Sequence, residues 1–160
     1  MTPANAPKPH LQVVSFRLAG DEYALDITAV KEVIQAAGIT PVPGLPRWIR
    51  GMINLRGTVI PVVDLRAQFG LAAPPEDDLT RILITRHRDR LVGFVVDAVS
   101  QVLKVPRADV QPAPAAIAQI AGRYLAGIAR ITPTRLAILI DIEAVLDPSA
   151  IAGLPAPAAA

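Results

Sequence analysis

Residues 11–18 alternate, with Val14, Phe16 and Leu18 on one face and Ser15 and Arg17 on the other. A period of two over this length predicts a β-strand with one face in a core. Ala19-Gly20-Asp21-Glu22 reads as a turn, and Tyr23, Leu25 and Ile27 resume the alternation to complete a hairpin. Ile27, Val30, Val33 and Ile34 then fall at helical spacing and predict a short helix. The stretch 38–46 holds three prolines and two glycines and reads as a loop. A second hairpin is expected from Gly51-Met52-Ile53-Asn54-Leu55, turning at Arg56-Gly57 into Thr58–Val63. Pro61 has no amide donor, which places its strand at an edge or a bulge.

Leu71–Leu79 carries Pro74, Pro75 and three acidic residues and reads as an internal linker. Beyond it, Arg81–Thr85, a turn at His87-Arg88-Asp89-Arg90 and Leu91–Val96 predict a third hairpin. Short apolar runs follow at Val102-Leu103 with Val105, at Tyr124–Ile128 and at Leu136–Ile140. Four apolar strands end in an aspartate before a helix-compatible segment, at Asp26, Asp64, Asp97 and Asp141. The spacings, 38 residues from Asp26 to Asp64 and 44 from Asp97 to Asp141, suggest two related halves. Two small β-barrels would produce that pattern. The expected organisation is a leader at 1–10, a first barrel at about 11–70, the linker at 71–79, a second barrel at about 80–146 and an Ala/Pro tail at 147–160.

At 160 residues the chain can bury roughly 70% of its unfolded surface without staples. Cysteine is absent, which removes disulfides, thiolate metal sites and thiol nucleophiles together. With His10 and His87 as its two histidines, no metal centre or cofactor is expected. Sixteen basic and 14 acidic side chains leave a net charge of +2, too mild for a non-specific grip on phosphates. Met1–His10 lacks the apolar core of a signal peptide, and no stretch approaches the roughly 20 apolar residues of a membrane helix. A cytoplasmic protein without direct membrane insertion is expected.

The four aspartates could be read as acid/base or metal groups. Asp is also a strong helix N-cap, its carboxylate accepting from first-turn amides for about 1 kcal/mol. Four copies at equivalent corners fit a repeated structural cap at Asp26, Asp64, Asp97 and Asp141. Gly51–Thr58 glances toward a phosphate loop, but its glycine spacing is wrong and its lysine is missing. Ser15, Ser100 and Ser149 lie outside any nucleophile-elbow context, and His87 among Arg86, Arg88 and Arg90 reads as a solvated turn. An oligonucleotide-binding barrel would need stacking platforms, whereas Phe16, Tyr23, Phe69 and Phe94 fall at core-phase positions. No catalytic constellation survives, and no nucleic-acid partner is expected. What remains is surface: Arg56 at its hairpin turn and Glu32 in an apolar neighbourhood are candidates for a protein-binding spot.

Asp21-Glu22-Tyr23 with Leu25-Asp26-Ile27 and Val30-x-Glu32-Val33 resembles the opening of the CheW-like domain family. The run from Gly51 to Arg66 is similar to the family's most diagnostic stretch. Gly93–Val99, Tyr124–Gly127 and Ala137–Asp141 resemble its later blocks, so that the likeness spans about residues 11–146 in order. The resemblance implies a mainly β fold of two five-stranded SH3-like barrels with short helices. It implies a non-enzymatic adaptor of bacterial chemotaxis, bridging the cytoplasmic tips of chemoreceptors to the regulatory domain of the histidine kinase CheA at membrane-bound receptor arrays. The same module could serve a pilus-motility or surface-sensing pathway. By the family pattern Glu32 and Arg56 pair, and Val30, Val33, Asn54, Gly57, Val99 and Val102 contribute to kinase or receptor contact. Gly51, Gly93 and Gly127 match turns that hold those surfaces. After Pro112-Ala113-Pro114, where many members place a large aromatic used in ring closure, this chain has Ala115-Ala116-Ile117. A free monomer is expected.

Overall fold

The alternation near the start of the chain folds into an antiparallel hairpin of β1 (His10–Leu18) and β2 (Asp21–Asp26). The computed structural model describes residues 9–46, 48–68, 77–87, 89–112, 114 and 125–145. Most of the leader, residues 71–76 of the expected linker, Ala115-Ala116-Ile117 and the tail at 147–160 lie outside the described residues. The first turn is shorter than expected. Ala19 and Gly20 alone make it, with φ of +50° and +86°, the mirror-image turn whose twist matches a hairpin.

The short helix expected from Ile27 is instead a single 3-10 turn, Ile27–Ala29, leading into β3 (Val30–Gln35). Four apolar positions in eight residues satisfy either period. The β-branched Val30, Val33 and Ile34 took the extended form because β6 offers an antiparallel partner. The chain continues through β4 (Ile49–Leu55), β5 (Thr58–Asp64), α1 (Leu65–Gln68), β6 (Arg81–His87), β7 (Arg90–Val96) and β8 (Ala98–Pro106). A second 3-10 turn at Arg107–Asp109 precedes β9 (Val110–Gln111), β10 (Leu125–Thr132), β11 (Arg135–Ile140) and α2 (Ile142–Val145).

The strands form a five-stranded sheet, ordered β3-β6-β7-β5-β4, and a six-stranded sheet, ordered β8-β1-β2-β11-β10-β9. The fold is therefore mainly β with two barrel-like subdomains, but the division at residues 71–79 is corrected. Residues 30–96 supply all of the first sheet, and the N-terminal hairpin belongs to the second. The cause is non-local pairing: β1 runs antiparallel to β8, and β2 runs parallel to β11 through Tyr23↔Ile138 and Ala24↔Leu139. Both sheets nonetheless repeat one plan, rotated along the chain. A hairpin (β4–β5 or β10–β11) leads to a short helix, and its second strand pairs in parallel with a second hairpin (β7 of β6–β7, or β2 of β1–β2). The aspartate repeat is real, and its units are offset by one hairpin from the expected boundary.

Three cores follow from this plan. Ile53, Ile60, Val62, Ile82, Ile84 and Val95 fill the first barrel, and Val13, Ala24, Val105, Ala129, Ala137 and Leu139 fill the second. Between the sheets lies a larger shared core in which Phe16, Leu18, Tyr23 and Leu25 meet Val63, Leu83, Phe94 and Val96. Phe16 and Tyr23 stack there with ring centroids 6.2 Å apart. The aromatics thus belong to the core, as their phase suggested; Phe69 lies outside the described residues. His87, expected in solvent, is the buried last residue of β6.

Gly51, Gly93 and Gly127, expected at turns, lie inside strands β4, β7 and β10. A Cβ on Gly51 would sit 2.1 Å from the carbonyl oxygen of Thr40, and one on Gly127 would sit 2.7 Å from that of Gln111. The two glycines hold matching places in the repeat, each letting a crossing segment approach the first strand of a hairpin. Of the two places expected for Pro61, the edge is corrected, since β5 lies between β4 and β7, whereas a bulge does sit beside it in the β4–β5 ladder, between Ile49 and Gly51. Met52, opposite Pro61, exchanges both of its backbone hydrogen bonds with Thr40 on the far side. Pro61 therefore sits in a non-hydrogen-bonded pair, where a missing amide leaves the β4–β5 ladder intact. Its pairing with β7 begins only at Val62.

The aspartates divide into two kinds. Asp26 caps the first 3-10 turn, accepting from the Thr28 amide at 2.9 Å and hydroxyl at 2.8 Å. Asp64 caps α1, accepting from the Arg66 amide at 3.0 Å and the Ala67 amide at 3.4 Å. Asp141 precedes α2 and accepts the Val145 amide through its backbone carbonyl. Asp97 caps no helix, because strand β8 follows it. Its Oδ2 accepts the amide of Ala19 at 2.8 Å, and its Oδ1 accepts Arg66 Nη1 at 2.7 Å.

Arg66 is the largest fully buried side chain described, only 1% exposed. Its Nε donates to Asp64 Oδ1 at 3.2 Å, while Arg50 Nη1 approaches Asp64 Oδ2 at 3.5 Å from the other side. Burial opposes the guanidinium's charge most strongly. The bonds and charges of Asp64 and Asp97 outweigh it and raise the Arg66 pKa. Removing one member strands the others, so Arg66→Met should destabilise the fold by about 3–5 kcal/mol in denaturant melts. Asp64→Ala should cost well over the 1 kcal/mol of a cap, because it also removes one of the two carboxylates that pair that buried guanidinium. Gly51→Ala should lower stability by about 3 kcal/mol, since the obstacle is backbone that has little room to yield.

Candidate functional site

The hairpin β4–β5 turns on two residues with positive φ, Arg56 at +50° and Gly57 at +86°. This is the same two-residue turn as Ala19-Gly20 at the tip of β1–β2, with a non-glycine residue first and glycine second. Asn54 Oδ1 accepts the amide of Gly57 at 2.9 Å and closes the turn. Arg56 then meets Glu32 in a bidentate pair: Nη1 donates to Oε1 at 3.2 Å, and Nη2 donates to Oε2. Glu32 lies on β3, which joins the sheet through β6 at the opposite edge from β4, so the ion pair spans the mouth of the first barrel. The bonds to Glu32 raise the Arg56 pKa.

The pair is 72% exposed on the arginine side and 31% on the glutamate side. Beneath it is a hollow of about 300 Å³ floored by Leu55, Ile84 and Leu91, with Lys31 and Thr58 at its rim. A fixed guanidinium over an aliphatic floor can dock a protein side chain. It offers no nucleophile–base pair. Glu32, Asn54, Arg56 and Gly57 thus come together as one feature.

The valines form a second group. A bulge between Val30 and Glu32 switches the faces of β3. Val30 turns to the inter-sheet core, Glu32 and Ile34 face the first barrel's interior, and Val33 lies opposite Leu83 on the inter-sheet face. From β8, Val99 packs on the same core, and Val102 faces Val14. Val33 is 40% and Val102 53% exposed, so the inter-sheet face ends in apolar surface where the edge strands β3 and β8 lie.

Sequence reasoning missed the pairing of Glu22 with Arg135, whose Nη2 donates to Glu22 Oε1 at 2.6 Å. It ties β2 to β11 across 113 residues, a separation at which no local signal exists. Among the described residues, no cluster of His, Cys, Asp or Glu could hold a metal ion. No described helix is long and apolar enough to cross a membrane.

Two barrel-like subdomains around a shared core, with an ordered charge pair on one turn and exposed valines between the sheets, define the class of the fold. Residues 12–149 match the model of the CheW-like domain, and the chain belongs to that family. It is 37% identical over 136 residues to the chemotaxis protein CheW of Bacillus subtilis, covering 85% of this chain and 86% of that one. Against CheW of Helicobacter pylori it is 36% identical over 104 residues, spanning 65% of this chain and 63% of the relative, just under two thirds of its length. The protein PilI of Pseudomonas aeruginosa is 31% identical over 86 residues, 54% of this chain and 48% of PilI. The crystal structure of the scaffolding protein TtCheW from Thermoanaerobacter tengcongensis superposes with a TM-score of 0.77 at 36% identity, covering 82% of this chain and 89% of that one. The chain is accordingly a non-enzymatic chemotaxis scaffold of the CheW type.

Because the Arg56–Glu32 pair stands in solvent, it contributes little to folding. Arg56→Ala should leave the thermal midpoint nearly unchanged in calorimetry, and a large drop would reassign the pair to structure.

Proposed function

We propose that this protein couples the cytoplasmic tips of chemoreceptors to a CheA-type histidine kinase, binding the kinase's regulatory domain through the Glu32–Arg56 surface and the receptor through the inter-sheet face. It is cytoplasmic, monomeric when free, and gathered at membrane-bound receptor arrays. The observation that carries the reading is the bidentate pair held on a turn where arginine takes a positive φ. A bidentate pair holds an exposed guanidinium in one direction, which suits it to a polar group of a partner.

An adaptor without chemistry changes kinase activity by linkage: it binds the active and inactive arrangements of its partners with different affinity. Val30, Val33, Val99 and Val102 supply an apolar face for a receptor helix, a helix-in-groove mode. Each contact is modest alone and strengthened by repetition in an array.

The relative PilI supports a second reading, the same module serving a pilus-motility pathway with its own kinase. The two differ in the partner alone. Titration calorimetry into the regulatory domain of a CheA-type kinase from the same cell should give saturable one-to-one binding. Arg56→Ala and Glu32→Lys should weaken it by about tenfold or more while the melt is retained. No binding to that domain, with binding to the pilus-pathway kinase, would establish the second reading.

A further inference from the structure

The mouth of the first barrel carries more positive charge than its ion pair uses. Opposed residues of an antiparallel pair share a face, and so do residues two apart in one strand. Arg86 lies opposite Leu91 and two residues beyond Ile84, and both of those apolar side chains line the hollow beneath Arg56. Arg86 therefore stands on that same face, near the outer end of β6. Lys31, the extra residue of the β3 bulge, lines the hollow from the neighbouring strand. Both cations are exposed, and among the described residues neither has a hydrogen bond or ion pair. Glu32, the acid of this hollow, is taken through both carboxylate oxygens by Arg56. The β6–β7 turn adds exposed Asp89 and Arg90, one charge of each sign. Lys31 and Arg86 thus leave the β3–β6 side of the mouth positive, beside a floor of Leu55, Ile84 and Leu91.

We infer that this side of the mouth is the acid-accepting part of the kinase-docking surface. A carboxylate of the kinase domain seats against Lys31 and Arg86, and an aliphatic neighbour on the same face of its strand enters the hollow over Leu55 and Leu91. The inference rests on the kinase-binding reading above and adds the chemistry that the kinase domain presents to it. A partner acid at Arg56 would meet a guanidinium already paired and the like charge of Glu32, so Arg56 is left for a neutral polar group. A partner base would find Glu32 occupied and two unpaired cations beside it, a like-charge contact that costs affinity. An acid set against Lys31 and Arg86 gains two unpaired partners and meets no free carboxylate of the hollow.

The test is titration calorimetry at low and high salt with the regulatory domain of the CheA-type kinase, or of the pilus-pathway kinase if that is the one bound. Lys31 and Arg86 are both exposed, so Lys31→Glu with Arg86→Glu should leave the melt intact. This double variant should bind about tenfold more weakly than wild type and lose most of the salt dependence. A control of the same net charge, Lys104→Glu with Arg130→Glu, alters exposed positions of the other sheet and should bind as wild type does. Wild-type affinity in the Lys31 and Arg86 variant, or equal weakening in both doubles, would overturn the inference and leave the kinase reading standing. If wild type binds neither kinase domain, that reading falls instead. The inference is then decided by amide chemical shifts with a hairpin peptide carrying a leucine and a glutamate two residues apart on one face, and with its glutamine counterpart. Shifts at Lys31, Thr58 and Arg86 with the glutamate peptide alone support it; the same shifts with both peptides, or with neither, overturn it.

Discussion

A single buried guanidinium ties the architecture together. Arg66 lies between Asp64, which ends β5, and Asp97, where the chain leaves the first sheet for the second. A charge this deeply buried is tolerable only when it is paired and hydrogen-bonded. Its partners are pinned in turn: the Asp97 carboxylate accepts the Ala19 amide, and the Asp97 amide donates to the Arg17 carbonyl at 2.9 Å. Four points therefore meet at one cation, namely the end of β5, the first turn of α1, the crossover into β8 and the tip of the β1–β2 hairpin. The shared apolar core supplies the greater driving force, but hydrophobic contact is non-directional. The polar network specifies how one sheet sits on the other.

That arrangement matters for the coupling role proposed above. The Arg56 turn stands on the first barrel, whereas the valine face takes Val30 and Val33 from one sheet and Val99 and Val102 from the other. A partner at one surface can bias a partner at the other only if the body between them transmits a preference instead of absorbing it. Three interlocked cores and a buried ion network provide a stiff body. The exposed sites need no special stability of their own. Glu32 and Arg56 are ordered by a two-residue turn and a strand bulge, both local devices anchored on buried strands.

Much of this was legible in the sequence. The hairpins at Ala19-Gly20 and Arg56-Gly57 announce themselves through turn chemistry and alternation, and Asp26 and Asp64 announce themselves as caps, because each effect acts within a few residues. The Glu32–Arg56 pairing came from family resemblance, since residues 24 apart in sequence carry no local sign of contact. The failures share one physical cause. β3 looked helical because its period was ambiguous until β6 supplied a partner. Asp97 looked like a cap because its real partners, Ala19 and Arg66, are 78 and 31 residues away. Gly51 and Gly127 looked like turn glycines because nothing nearby reveals the carbonyl that another segment brings against them.

By itself, then, the amino-acid order determined most of the strand segments (β3 excepted), where the tight turns fall, and that the plan is used twice. Those properties depend on side-chain period and on backbone preferences expressed within about ten residues. Only the tertiary structure decided which strands share a sheet. The parallel pairing of β2 with β11 hands the N-terminal hairpin to the second sheet, and a ladder hydrogen bond is indifferent to how far apart in the chain its two strands were made. The choice was left to the shared core and the buried Arg66 network, which exist only after both sheets have met.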